Sequence, residues 1–166
     1  MRITLIQTGG TIDKDYPKSI KGWAFEIGEP AFMRIIEKVP KTIAWEFIPL
    51  LKKDSTELTK DDRLKILNTC RNTSNDKIII THGTDTMLET AQVLKAIKGK
   101  TIVITGAMRP ERFSNSDADL HFGMALAGVQ TLTSGVYITI QGLISPFQNF
   151  DRDLETGHYF LKHNIR

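Results

Sequence analysis

Cysteine is nearly absent from this sequence: Cys70 is the only one in 166 residues, so no intrachain disulfide can form. It falls in a stretch of helical period and reads as a small core residue rather than a nucleophile. Long hydrophobic runs are missing as well. The N-terminal apolar run, Ile3 to Ile6, is too short for the apolar region of a signal peptide and far too short to span a membrane. A reducing, cytoplasmic setting is the expectation. Excess charge of one sign is small, with 22 Lys and Arg against 19 Asp and Glu, and the basic residues are scattered. Nucleic-acid binding wants a basic stripe, so neither nucleic acid nor membrane is expected as a partner. The four histidines, at 82, 121, 158 and 163, show no metal-ligand spacing, so no metal is implied. Repeats, low-complexity tracts and interdomain linkers are also lacking.

What is present is an ordinary globular composition in a chain whose length favours one domain. Short runs rich in Ile, Val and Thr, at Ile3–Gln7, Ile43–Leu50, Lys77–Thr81, Thr101–Thr105 and Gly135–Ile140, read as strands. Amphipathic segments alternate with them. Glu29 to Val39 carries Phe32, Ile35, Ile36 and Val39 on one face, and Pro30 suits its first turn. A second helix starts near Thr59, with Asp62 three residues on and Leu64, Leu67 and Cys70 as a stripe. A third runs from Thr86, where Glu89 completes a capping box, through Leu88, Ala91, Leu94 and Ile97 to Gly99. The fourth, Asp117 to Thr131, places Leu120, Met124, Ala127 and Gly128 on one side. Nearly continuous apolar strands alternating with such helices predict an α/β fold. The expected form is a three-layer αβα sandwich on a mainly parallel, flavodoxin- or Rossmann-like sheet, with right-handed crossovers.

In folds of this kind ligands gather at the carboxyl ends of the strands. Two polar turns lie there. Thr8-Gly9-Gly10-Thr11 follows the first strand, and Thr81-His82-Gly83-Thr84-Asp85-Thr86 follows the third. Their glycines allow sharp turns and leave amide N–H groups open to an anion or a developing oxyanion. No P-loop or dinucleotide fingerprint accompanies either turn, and no organic cofactor is implied. Both turns are expected to project hydroxyls into one crevice.

Thr-Gly-Gly-Thr-Ile at 8–12, His-Gly-Thr-Asp-Thr-Met at 82–87 and Gly-Ala-Met-Arg-Pro at 106–110 together resemble the bacterial-type L-asparaginase/glutaminase family. Asp54-Ser55-Thr56-Glu57-Leu58-Thr59 resembles that family's substrate-binding segment. The resemblance covers nearly the whole chain and matches the larger, N-terminal domain of the usual two-domain enzyme. The expectation is one domain over 1–166, with the smaller C-terminal domain absent.

The resemblance implies a hydrolysis of L-asparagine to L-aspartate and ammonia, with a possible glutaminase side activity, through an acyl-threonine intermediate. Thr11 is then the nucleophile, and Tyr16, on the loop that follows, helps activate it. Thr84 orients or activates water, and Asp85 takes the substrate's ammonium. Ser55 and Thr56 bind the α-carboxylate and amine, with Gly10 and Gly83 shaping the binding turns. His82 has no catalytic role in the family and reads as structural. The family's catalytic lysine falls near Arg152, and an arginine does not readily surrender a proton. A single-domain form needs a second copy to close its site, so a homo-oligomer, dimer or tetramer, is expected. The alternative from another class is a non-catalytic module that binds aspartate or asparagine. A third reading is the ammonia-producing component of a tRNA-dependent amidotransferase.

Overall fold

The computed structural model describes residues 1–17, 25–39 and 41–162. His163, one of the four histidines weighed above, lies outside them. In chain order the elements are β1 (Arg2–Gly9), β2 (Lys14–Asp15), β3 (Glu26–Ile27), α1 (Ala31–Ile36) and β4 (Ala44–Lys53). Then come α2 (Lys60–Asn72), β5 (Lys77–Thr81), α3 (Met87–Leu94), β6 (Thr101–Thr105) and α4 (Ala118–Thr131). The chain continues with β7 (Gly135–Ile140), β8 (Leu143–Pro146), β9 (Phe150–Arg152) and β10 (Tyr159–Leu161).

The main sheet runs β4-β1-β5-β6-β7-β8. The first five strands are parallel and β8 is antiparallel to β7. Taking the parallel strands alone, the order is second, first, third, fourth, fifth, the doubly wound arrangement of flavodoxin-like sheets. Successive residues of the central strands point to opposite faces. Ile78, Ile80, Ile102, Ile104 and Ile138 meet Ile66, Cys70, Met87 and Leu94 of α2 and α3. Ile79, Val103 and Tyr137 meet Phe32 and Ile35 of α1 and Phe122, Ala125 and Val129 of α4. Both faces are therefore dry, which is why these strands read as unbroken apolar runs. Burying each such isoleucine contributes about 1.5–3 kcal/mol. The expected three layers are present, and the sequence patterning is their cause.

The elements differ from expectation in particular places. Helix α1 is confined to Ala31–Ile36, because Pro30 stands outside the helix as its N-cap and the end tightens through Lys38 N–H to Ile35 O and Val39 N–H to Ile36 O. Val39 also precedes Pro40, and a residue in that place is disfavoured from helical conformation. Strand β4 continues three residues beyond Leu50, to Lys53. The Thr59–Asp62 capping box forms as read, but the Thr86–Glu89 box does not. The Thr86 hydroxyl donates instead to the Ser55 carbonyl at 2.9 Å, and Glu89 pairs with Arg63 at 2.7 Å. On α4 the inward stripe is Ala118, Phe122, Ala125, Gly128 and Val129, while Leu120 is exposed, as is Leu64 on α2. Gly128 does allow the close approach anticipated for it: a Cβ there would lie 2.7 Å from the Ile144 side chain of β8. Strand β8 and the β9–β10 hairpin were not anticipated.

Candidate active site

Strands β1 and β5 are neighbours, yet their chains leave in opposite directions. After β1 the chain runs to α1 on one face of the sheet; after β5 it runs to α3 on the other. A crevice opens at such a switch point, beyond the carboxyl ends of the strands. The two threonine turns leave from the carboxyl ends of these two strands.

Glycine brings the turns together. Gly9 and Gly10 have φ of 107° and 89°, values that side-chain-bearing residues rarely adopt. A Cβ on Gly10 would stand 2.3 Å from both Cα and N of Gly83, and one on Gly83 would stand 2.6 Å from the Ser55 hydroxyl oxygen. The turns after β1, β5 and β4 are thus in direct contact. A hydrogen bond from Gly10 N–H to the Lys53 carbonyl, 3.0 Å long, ties the first turn to the end of β4.

Around this contact the expected residues are distributed unevenly. Thr11 is partly exposed and begins a short 3-10 turn to Asp13. Thr84 is buried, and its carbonyl accepts from the Tyr159 phenol at 2.5 Å. Ser55 is buried and its hydroxyl accepts from Asp85 N–H at 3.2 Å. Thr56 is exposed; both its N–H and its hydroxyl are spent on the Asp54 carboxylate, at 3.2 and 3.1 Å. Tyr16 is exposed and packs on Phe25, ring centroids 5.1 Å apart; among the described residues no hydrogen bond links it to Thr11. The structure therefore unites Gly10, Gly83, Ser55 and Asp85 at one contact, with Thr11 and Thr84 beside it. Tyr16 and Thr56 stand at the periphery.

The charges of the site are arranged in pairs. The Asp85 carboxylate accepts from Arg152 at 2.6 Å, and Asp54 from Lys14 at 3.0 Å. Burial opposes ionisation of Asp54, but bonds from Lys14 and Thr56 outweigh it and hold the carboxyl below its ordinary value. His82 is fully buried, and burial drives its pKa down to about 4. Its Nδ1 lies 2.7 Å from the Gly83 carbonyl and its Nε2 2.8 Å from the Thr90 hydroxyl. A carbonyl only accepts, so Nδ1 carries the proton and Nε2 accepts from Thr90. Neutral His82 thus props the turn from within, with both ring nitrogens engaged by the protein. Burial pushes the Cys70 thiol up to about 12, far from any reactive thiolate.

Two residues of consequence escaped the sequence reading. Tyr159, from the β9–β10 hairpin, has its phenol pushed up to about 12, chiefly by burial, so it remains a donor to Thr84. Asp13, two residues past Thr11, is buried, with its pKa raised to about 6 by desolvation. Its carboxylate accepts from Ala31 N–H at 2.7 Å and from the Gln7 amide at 3.0 Å, joining the first turn to α1. An acid two residues past a glycine- and threonine-rich turn was the available signal for Asp13. Nothing local marked Tyr159.

Among the described residues no group of three or more His, Cys, Asp or Glu side chains lies close enough to hold a metal. Two clefts of about 480 Å³ flank edge strand β4, one lined by residues such as Glu46 and Lys65, the other by Met33 and Trp45. Neither includes a residue of the three turns. The polar groups and strained glycines, rather than cavity volume, locate the site.

Comparison with known proteins fits this geometry. The family model described as asparaginase, N-terminal, matches residues 2–148. A probable periplasmic L-asparaginase of Haemophilus influenzae is 36% identical over 128 residues, covering 72% of this chain and 36% of that protein. A glutaminase-asparaginase of Acinetobacter glutaminasificans is 28% identical over 134 residues, 75% of this chain and 40% of that one. The crystal structure of a probable cytoplasmic L-asparaginase from Campylobacter jejuni superposes with a TM-score of 0.75 at 27% identity. It covers 95% of this chain and 52% of its own. The chain thus spans well under half the length of these curated relatives. With its two threonine turns in contact at the switch point of the sheet, this chain belongs to the asparaginase family and matches its N-terminal domain.

Proposed function

We propose that this protein hydrolyses the side-chain amide of L-asparagine, giving L-aspartate and ammonia, with glutamine as a secondary substrate. The observation that supports the reading is the contact of Gly10 with Gly83, the residues that immediately precede Thr11 and Thr84. In the proposed reaction the Thr11 oxygen adds to the amide carbon. The C–N bond then breaks, nitrogen leaves as ammonia with the hydroxyl proton, and an ester to Thr11 remains. Water oriented by Thr84 adds to that ester and releases the acid, restoring the hydroxyl. Backbone N–H groups of the two turns supply donors for the oxyanion. Ser55 and Asp85 anchor the amino-acid end, with Thr56 at the rim, and Tyr16 belongs to the loop that follows the nucleophile. No metal or organic cofactor enters this chemistry. A homo-oligomer and a cytoplasmic setting belong to the same proposal. No helix among the described residues is long and apolar enough to cross a membrane.

The test is ammonia release by purified protein with asparagine and with glutamine. Replacing Thr11 or Thr84 by Ala is expected to lower kcat by roughly a thousandfold or more, the scale of losing a nucleophile or its partner. Turnover that survives Thr11→Ala would remove the threonine mechanism. Ligand binding without any turnover would favour the non-catalytic module instead. Sedimentation velocity reports the assembly.

A further inference from the structure

Apolar packing accounts for the central strands up to their carboxyl ends, where one row departs from it. Leu5, Ile79, Val103 and Tyr137 stand in register across β1, β5, β6 and β7 and belong to the apolar cluster with α1 and α4. Two residues further on, and so on the same face of the sheet, the aligned row is Gln7, Thr81, Thr105 and Thr139. All four are fully buried. The row between them, on the opposite face, is Ile6, Ile80, Ile104 and Ile138 and is wholly apolar.

Among the described residues four buried side-chain polar atoms have no hydrogen-bond partner, and three of them lie in this row: Gln7 Oε1 and the Thr81 and Thr139 hydroxyls. Gln7 Nε2 donates to the Asp13 carboxylate at 3.0 Å and to the Gly28 carbonyl at 3.1 Å, so Oε1 points away from both. The neighbouring polar side chains are committed elsewhere. Thr105 donates to the Thr139 carbonyl at 3.2 Å, and Thr8 to the Thr81 carbonyl at 2.8 Å. His121 of α4 has one ring nitrogen 3.0 Å from the Gly106 carbonyl and the other 3.3 Å from the Gly142 nitrogen, whose N–H donates to it.

A buried hydroxyl or amide oxygen without a partner destabilises a fold, and valine offers nearly the shape of threonine without that cost. Three such atoms in one line therefore point to a partner that is not protein. Ordered water satisfies groups of this kind in protein interiors, with about three hydrogen bonds to each molecule. We propose that the row is a buried hydration site, in which water bridges Gln7 Oε1 and the hydroxyls of Thr81 and Thr139. The Thr105 hydroxyl, which keeps its acceptor capacity, stands between them. Gln7 and Thr81 directly precede Thr8 and His82 in the chain, so this water ties together the strands that bear the two turns. The inference does not depend on the amide-hydrolysis reading and applies equally to an enzyme or a binding module.

The first test needs no variant: a crystal structure of the protein at a resolution that shows ordered water. Water within hydrogen-bond distance of at least two of the three atoms is expected. A dry row, or side chains turned so that all three atoms pair with protein, would overturn the inference. The solution test compares wild type with Thr81→Val, Thr139→Val and the double variant in urea denaturation. Each single variant is expected to raise the unfolding equilibrium constant about fivefold, the scale of one lost hydrogen bond. The two side chains stand two strands apart, about 10 Å, where unconnected substitutions act independently. Through shared water the double variant should fall short of the product of the two single effects by about threefold. Single variants as stable as wild type, or effects that simply multiply, overturn the proposal.

Discussion

The two hydroxyl-bearing turns stand at the ends of adjacent strands and touch one another, yet they are held by different means. The turn after β1 is fixed by backbone: two glycines at positive φ, a bond to the Lys53 carbonyl, and a buried Asp13 that caps α1. The turn after β5 is fixed by side chains reaching in from elsewhere. Ser55 holds Asp85 N–H, Thr90 and the Gly83 carbonyl hold His82, and Tyr159 holds the Thr84 carbonyl. The first arrangement leaves Thr11 partly exposed; the second buries Thr84. A turn built from backbone cannot accept an added atom. A turn built from side chains can lose one partner and persist.

The contrast is broken most severely at the point where the turns touch. Gly10→Ala would place a methyl 2.3 Å from the Gly83 backbone, at a φ of 89°. Neither backbone can yield cheaply, so a loss of about 3 kcal/mol or more is expected, together with loss of ammonia release. Urea denaturation and the ammonia assay check both, and a stable, active alanine variant would show that the contact is dispensable.

Asp13 tests the first turn alone. Its pKa is raised from 3.8 to about 6 by burial, so the folded protein binds that proton more tightly than the unfolded chain does. Its contribution to stability is fully present below pH 4 and is lost as pH rises through about 6. Asp13→Asn removes the buried charge and keeps an acceptor for Ala31 N–H. Gln7, whose Oε1 has no partner among the described residues, can turn to present its oxygen at the cost of its bond to the Gly28 carbonyl. The variant is expected to be more stable than wild type by about 2–3 kcal/mol at pH 7.5 and equal to it near pH 4. Denaturation midpoints at the two pH values measure this. A constant difference between them would remove Asp13 as the titrating group.

The smallest effect belongs to the second turn. Tyr159→Phe deletes the donor to the Thr84 carbonyl while keeping the ring beneath Arg152. Loss of one buried hydrogen bond predicts about 1–2 kcal/mol in thermal or chemical denaturation. Because Ser55 and His82 still hold the turn, kcat is expected to fall less than in Thr84→Ala. An effect on kcat as large as that of Thr84→Ala would show that the hairpin, and not Ser55, positions the turn.

Much of this could be read from residues alone, for a physical reason. Strands buried on both faces announce themselves as apolar runs, and a capping box such as Thr59–Asp62 is local chemistry that survives in any fold. The Thr86–Glu89 box failed because two stronger partners, the Ser55 carbonyl and Arg63, came from distant segments. The stripe on α4 was misplaced by a fraction of a turn, because small residues such as Ala118 and Ala125 gave little hydrophobic contrast against Leu120.

The sequence by itself determined the layered α/β scaffold and the two glycine-threonine turns at strand ends. Each depends on neighbours along the chain: alternation, strand-end glycines, hydroxyls beside them. Tertiary structure alone decided that Gly10 lies against Gly83, that Tyr159 reaches Thr84, and that Arg152 covers Asp85, a contact between residues 67 positions apart. Such pairings depend on how the sheet twists and where β9 and β10 return over it. No local pattern encodes them.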